Sequence, residues 1–153
     1  MIVPVSKENE KEWIKLCIAL WPDTTAQDLM EERTTYKLSD FLYYIDNEAV
    51  AFISLSIRHE YVPGTETSPV GYLEGVYVKP EFRKRGIAKE LITYAKEWAF
   101  SQDCNEMASD VELHNEDSQL FQNNNVLRTF CFPNVCLGKG SVSYDIKKST
   151  ARC

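Results

Sequence analysis

The spacing of apolar residues changes period several times along the chain. Ile2–Val5 is a short apolar run and predicts a strand. Ser6 offers an N-cap oxygen, and Glu8 and Glu10 suit the positive start of a helix. Trp13, Leu16, Cys17 and Leu20 follow at i, i+3, i+4, i+7, so residues 8–20 read as an amphipathic helix. Trp21-Pro22-Asp23 breaks it. Thr24 or Thr25 can cap a second helix, with Ala26, Leu29, Met30 and Arg33 on one face. Phe41–Ile45 and Ala49–Arg58 then read as two strands around the turn Asp46-Asn47-Glu48. Pro63-Gly64 and Ser68-Pro69 mark residues 59–71 as a loop. A further strand, Tyr72–Val78, ends at Pro80. Ile87, Ala88, Leu91, Ile92, Ala95, Trp98 and Ala99 keep the 3.6-residue period over more than three turns. Glu106–Val111 predicts a strand and Asp117–Asn124 a helix. The remainder reads as β-rich: Thr129–Phe132, Val135–Leu137 and Ser141–Ile146, with Gly138-Lys139-Gly140 as a turn. The order is mixed α/β with one strand–helix–strand crossover.

Composition narrows the class. The 153 residues fit one domain, with 44% hydrophobic and 26% charged residues near the globular average. Lys and Arg number 17 and Asp and Glu 23, a formal charge of −6, which speaks against a nucleic-acid partner. The five cysteines form no C-x-x-C pair, so no metal site is expected and reduced thiols are. The N-terminus lacks the pattern of a signal peptide, and no apolar run approaches the roughly 20 residues of a membrane helix. A soluble cytoplasmic protein is expected.

Charge is distributed unevenly. Lys79, Arg83, Lys84, Arg85 and Lys89 against Glu81 put a net +4 into residues 79–89. This turn runs from a strand into the N-terminus of the 87–99 helix, where free N–H groups and the helix dipole favour an anion. Basic groups there oppose the dipole, and an anionic ligand relieves the conflict. Gly86 lets a phosphate approach the backbone without a Cβ in the way. The pattern is neither a Walker P-loop nor a Gly-x-Gly-x-x-Gly fingerprint.

Arg83-x-x-Gly86-x-Ala88 after an apolar strand resembles the acyl-CoA pyrophosphate loop of the GNAT superfamily of N-acetyltransferases. Trp21-Pro22-Asp23, Glu60-Tyr61-Val62, Ser68-Pro69-Val70, Tyr72-Leu73-Glu74-Gly75-Val76-Tyr77-Val78 and Ala108-Ser109-Asp110 narrow it. They are similar to the aminoglycoside 6'-N-acetyltransferases, over roughly residues 10–121. The resemblance implies a single-domain GNAT fold over residues 1–148, with 149–153 as a tail. It implies a splayed, mixed, mostly antiparallel sheet flanked by helices. Acetyl-CoA would be the cosubstrate. Its pantetheine arm would bond the backbone at Val76, Tyr77 and Val78. Its pyrophosphate would meet the N–H groups of Arg83, Lys84, Arg85, Gly86, Ile87 and Ala88, and Asn115 and Ser118 would lie on the cofactor side. A homodimer and a cationic aminoglycoside substrate are also implied.

Glu106, Asp110, Glu112, Glu116 and Asp117, with no Lys or Arg among them, give −5 in residues 106–117. A solvated acidic loop is one reading and a cation site another. Glu74 lies inside an apolar strand, where an outward-facing residue and a functional carboxylate are equally open readings. The family match favours Glu74 and Asp110 as ligands of the substrate's ammonium groups. Acetyl transfer needs a neutral amine, whereas an alkylamine with a pKa of about 10 is protonated at neutral pH. Glu74 is the expected base that takes the proton, with Asp110 as electrostatic binder or second candidate. A backbone N–H near Val76 would support the carbonyl oxygen. Tyr144 is the candidate proton donor to the leaving thiolate. Trp21 and Tyr61 would stack on sugar rings or anchor the core. His59 and His114 are expected on the surface.

Asn123-Asn124-Asn125-Val126-Leu127 stands where the family carries a Leu-Gly-Phe turn, so the β-rich tail is atypical. Two other readings compete: a GNAT enzyme acting on another polyamine or a protein amine, and a non-catalytic acyl-CoA-binding relative.

Overall fold

The computed structural model describes residues 1–109 and the backbone of two further short strands, 129–131 and 137–138. The chain runs β1 (Ile2–Pro4), α1 (Glu10–Leu20), α2 (Ala26–Thr35), β2 (Ser39–Ile45), β3 (Glu48–Arg58), β4 (Val70–Val78), a short 3-10 turn (Pro80–Phe82), α3 (Ile87–Ser101), β5 (Glu106–Ser109), β6 (Thr129–Cys131) and β7 (Leu137–Gly138). The strands form one sheet in sequence order. β1–β2, β2–β3, β5–β6 and β6–β7 are antiparallel, and β4–β5 is parallel. The parallel pair is joined through α3, as the predicted crossover requires. The expected mixed, mostly antiparallel sheet flanked by helices is thus observed.

Two compact units divide the chain. The first comprises Met1–Ser56 with Gly75–Thr93. Its core gathers Trp13, Leu16 and Cys17 of α1, Leu29 of α2, Leu42 of β2 and Phe52 of β3, all buried. Each large apolar side chain removed from water there contributes about 1.5–3 kcal/mol. A polar knot sits beside this core. Asp40 is buried and receives the Ser54 hydroxyl. Arg33 reaches it with Nε at 3.0 Å and donates from Nη2 to the Val5 carbonyl at 2.9 Å. Burial pushes the Asp40 carboxyl above its ordinary value, against the pull of Ser54 and Arg33.

The second unit comprises Ile57–Glu74 with the described chain from Tyr94. Val62, Val70, Tyr72 and Ala108 form its apolar cluster. β4 and β5 pair from Val70↔Glu106 to Leu73↔Ser109.

Several local expectations need correction. The first helix begins at Glu10, two residues late, and its N-cap is Asn9 rather than Ser6. The Asn9 side chain turns back, accepting from Ser6 N–H at 2.7 Å and donating to the Pro4 carbonyl at 3.2 Å. Residues 6–9 are consumed in that turn. For α2, Thr25 is the cap, in a full capping box with Asp28. Gly138, expected in a turn, is a strand residue facing Thr129. The predicted segments 117–124 and 141–146 lie outside the described residues.

Candidate functional site

β4 contributes Val70–Glu74 to the second unit and Gly75–Val78 to the first. In the first unit, Gly75 has a specific reason to be glycine. A Cβ there would stand 2.6 and 2.7 Å from Cζ2 and Cη2 of the Trp21 ring. The ring also meets Phe52 edge-on, with centroids 5.7 Å apart. Trp21 therefore serves the core at this strand. The Tyr77 ring lies 6.4 Å from Phe52 and joins the same apolar group.

The chain leaves β4 under restraint. Lys79 N–H donates to the Val50 carbonyl at 2.9 Å, and its ammonium pairs with Glu48 at 2.5 Å. Arg83 Nε donates to the Val78 carbonyl at 3.0 Å, its guanidinium 5.7 Å from the Tyr77 ring. Lys79 and Arg83 are thus engaged in holding its shape, and the Arg85 guanidinium lies 5.1 Å from the Phe82 ring centroid. Lys84, Arg85 and Lys89 are exposed. Lys84 has φ +60° and Gly86 φ +83°, with Arg85 between them outside the left-handed region. Such alternation is the backbone pattern of a candidate anion nest. The Gly86 carbonyl accepts from Glu90 N–H at 3.0 Å, so it opens α3. The N–H groups of 86–89 then have no partner within the helix. Among the described residues, chain neighbours aside, no heavy atom lies within 4 Å of a Cβ built on Gly86. The Ile87 side chain is buried, which anchors the helix start and leaves only its backbone for a ligand.

In the second unit, Glu74 is half-buried. Arg58 Nη2 donates to its Oε1 at 3.1 Å. The Arg58 guanidinium lies 3.3 Å from the centroid of the Tyr72 ring. Sequence reasoning missed Arg58, which stands sixteen residues away at the end of β3. Its only signal was an arginine closing a strand of alternating apolar residues. Tyr61 is exposed, on the 59–69 loop. His59 is exposed as expected, and its carbonyl accepts from the Ser68 hydroxyl at 2.9 Å.

Glu106 departs from the acidic-stretch expectation. It is 2% exposed. Its Oε2 accepts from Glu66 N–H at 2.9 Å and Thr67 N–H at 2.6 Å, and the Thr67 hydroxyl also reaches it. Backbone amides bind this carboxylate, and a solvated or substrate-binding role is excluded by that burial. Asp110, Asn115, Ser118 and Tyr144 lie outside the described residues, as does His114. Among the described residues no helix is long and apolar enough to cross a membrane.

The acetyltransferase (GNAT) family model matches residues 6–122. An aminoglycoside N(6')-acetyltransferase type 1 from Acinetobacter haemolyticus is 46% identical over 118 residues, covering 74% of this chain and 81% of the relative. One of the same name from Acinetobacter baumannii is 40% identical over 121 residues, covering 76% and 83%. Among solved structures, the apo aminoglycoside antibiotic 6'-N-acetyltransferase from Acinetobacter haemolyticus has a TM-score of 0.77 at 36% identity, over 89% of this chain and 95% of that one. AAC(6')-Iy in complex with the bisubstrate analogue CoA-S-monomethyl-acetylneamine also has a TM-score of 0.77, at 33% identity over 89% and 98%. An apolar strand feeding a candidate anion nest, at the head of a long amphipathic helix, is thus found in a chain whose sequence and fold match one group of acetyltransferases over most of their length. The chain belongs to the GNAT acetyltransferase family and, within it, to the aminoglycoside N(6')-acetyltransferases.

Proposed function

We propose that this protein transfers the acetyl group of acetyl-CoA to the 6'-amine of aminoglycoside antibiotics, directly in a ternary complex, and so confers resistance to them. The observation that carries this reading is the joint match in sequence and fold to solved 6'-N-acetyltransferases. A cytoplasmic homodimer is part of the proposal, resting on the family resemblance and on acetyl-CoA being an intracellular metabolite.

The residues present fit an acyl-CoA. Gly86 and the left-handed Lys84 support a phosphate cradle in the 83–88 loop, with Lys84 and Arg85 as exposed cations beside it. Bound acetyl-CoA supplies the activated acetyl group. The chain's own contribution is to hold and orient. Backbone groups of Val76, Tyr77 and Val78 would bond the pantetheine arm as a further strand. N–H groups from Arg83 to Ala88 would hold the pyrophosphate, with Asn115 and Ser118 on the same side. A backbone N–H near Val76 would support the acetyl carbonyl oxygen. Glu74 would bind a substrate ammonium and take its proton, directly or through water. Asp110 would bind a further ammonium, and Tyr144 would return a proton to the departing sulfur. Tyr61, exposed on its loop, would offer a face to a sugar ring. Trp21 would act behind it all, by fixing Gly75 and hence the strand between Glu74 and Val76.

Free-CoA release measured with kanamycin and tobramycin against spermidine and N-terminal peptides tests the proposal. Turnover with the aminoglycosides, with the product acetylated at the 6'-nitrogen by mass spectrometry, is expected. Turnover confined to spermidine or peptides would replace it with another GNAT substrate class. CoA binding without transfer to any amine would point to a non-catalytic relative.

A further inference from the structure

The carboxylate assigned above to the substrate's ammonium already holds a cation. Arg58 closes β3, and its Nη2 donates to Glu74 Oε1 at 3.1 Å. The guanidinium lies 3.3 Å from the Tyr72 ring centroid, a cation–π arrangement. That ring is a fixed platform, buried against Val62, Val70 and Ala108. The charged ends differ in access: the Arg58 side chain is 34% exposed and that of Glu74 17%. The pair thus stands at the edge of solvent, where an incoming cation can compete for it.

We infer that Arg58 is a resident counter-ion that the substrate displaces from Glu74, and that it makes the site select poly-ammonium ligands over mono-amines. The inference rests on the assignment of Glu74 to substrate binding. A single ammonium that replaces Arg58 exchanges one cation for another and gains little charge pairing. It also leaves the Arg58 charge nearby, which repels it. A ligand with several ammonium groups gains elsewhere what it fails to gain at Glu74. Tyr72 makes the exchange reversible, because the guanidinium keeps its aromatic platform when it gives up the carboxylate. Arg58 is accordingly a specificity-determining residue with no role at the reacting atoms.

The sign of its effect separates this role from simple support of Glu74. Removing the competing charge while keeping the side chain's length, in Arg58→Met, exposes the carboxylate to the ligand. Kanamycin, and a mono-amine with the same ring, methyl 6-amino-6-deoxyglucoside, are titrated calorimetrically into the CoA-loaded protein, so that turnover is not needed. At low salt both are expected to bind Arg58→Met roughly three- to tenfold more tightly, the mono-amine gaining more. At about 0.5 M salt the gain should shrink below about twofold, since exposed charges are then screened. In a Glu74→Gln background the gain from Arg58→Met should shrink to the relief of repulsion alone, because the competition for the carboxylate is gone and the two residues act as a coupled pair. Arg58→Gln provides a second uncharged variant should the first fold poorly. Weaker or unchanged binding in both variants overturns the inference and makes Arg58 a support of Glu74. Failure of every variant, wild type included, to bind kanamycin overturns it together with the assignment of Glu74. Tighter binding without 6'-acetylation upholds the displacement and overturns the proposed activity instead.

Discussion

Glu106 Oε2 accepts the Thr67 backbone N–H at 2.6 Å, across thirty-nine residues of sequence. The Glu66 N–H joins at 2.9 Å, so the first residue of β5 holds the loop that carries Tyr61. Each hydrogen bond to a charged group contributes about 1.5–3 kcal/mol, and Glu66 and Thr67 are exposed, so water can replace the carboxylate at their N–H groups. Glu106→Ala should therefore lower unfolding free energy by several kcal/mol, with Glu106→Gln costing about half as much. Urea titration measures both. Limited proteolysis should show cleavage within 59–69 appearing in Glu106→Ala first. Unchanged stability in Glu106→Ala would rule the clamp out.

Gly75→Ala should cost about 1–3 kcal/mol, because its methyl group meets the rigid Trp21 ring at 2.6 Å. Trp21→Leu opens that space, so the double variant should be less than additive. The same change moves the backbone between Glu74 and Val76. Acetyl transfer by Gly75→Ala should consequently drop at least tenfold, while the thermal midpoint shifts by a few degrees.

Lys84 and Gly86 separate shape from charge at the anion nest. Lys84→Gly removes a left-handed non-glycine residue whose conformation costs about 1 kcal/mol, and should be more stable than Lys84→Ala by about that amount. Both lose the cation and should weaken CoA binding by a similar factor, more so at low salt. Gly86→Ala has φ +83° and places a methyl group at the candidate nest. Its CoA affinity should fall more than tenfold at any salt concentration. Equal salt dependence for Lys84→Ala and Gly86→Ala would contradict this division.

Asp40 gives a pH signature. Burial raises its carboxyl above the ordinary value, so in the window between the two the folded state binds more protons than the unfolded one. Stability from this group therefore falls as pH rises through that window. Asp40→Asn should remove that slope. The difference in unfolding free energy, wild type minus Asp40→Asn, should decline between the ordinary aspartate value near pH 4 and neutrality. A flat difference across that range would show that Asp40 titrates alike in both states.

Much of this was legible because it is local. The α3 stripe of Ile87, Leu91, Ile92, Ala95 and Ala99 is buried as its period predicts. The Arg83-x-x-Gly86-x-Ala88 pattern likewise marked a loop whose geometry depends on neighbouring residues. Contacts made by strand register were not legible. Glu48 meets Lys79, Arg58 meets Glu74 and Glu106 meets Thr67 only after β3, β4 and β5 are in place. Glu106 also stood at the head of a run of acids, and composition alone cannot tell an inward carboxylate from an outward one. Asn9 supplanted Ser6 because the winning bonds run backwards to Pro4 and Ser6, a competition that helix-cap preferences do not rank.

The turn after β4 has a consequence for how such a protein can change. Its path is set by Lys79 on Glu48, Arg83 on the Val78 carbonyl, the buried Ile87 and the glycine at 86. Lys84, Arg85 and Lys89 stand exposed along it. Substitution at Lys89 can thus retune attraction for an anionic carrier while the scaffold beneath stays in place. Drift in cosubstrate preference is thereby open to single changes of charge, without a folding intermediate step that selection would have to cross.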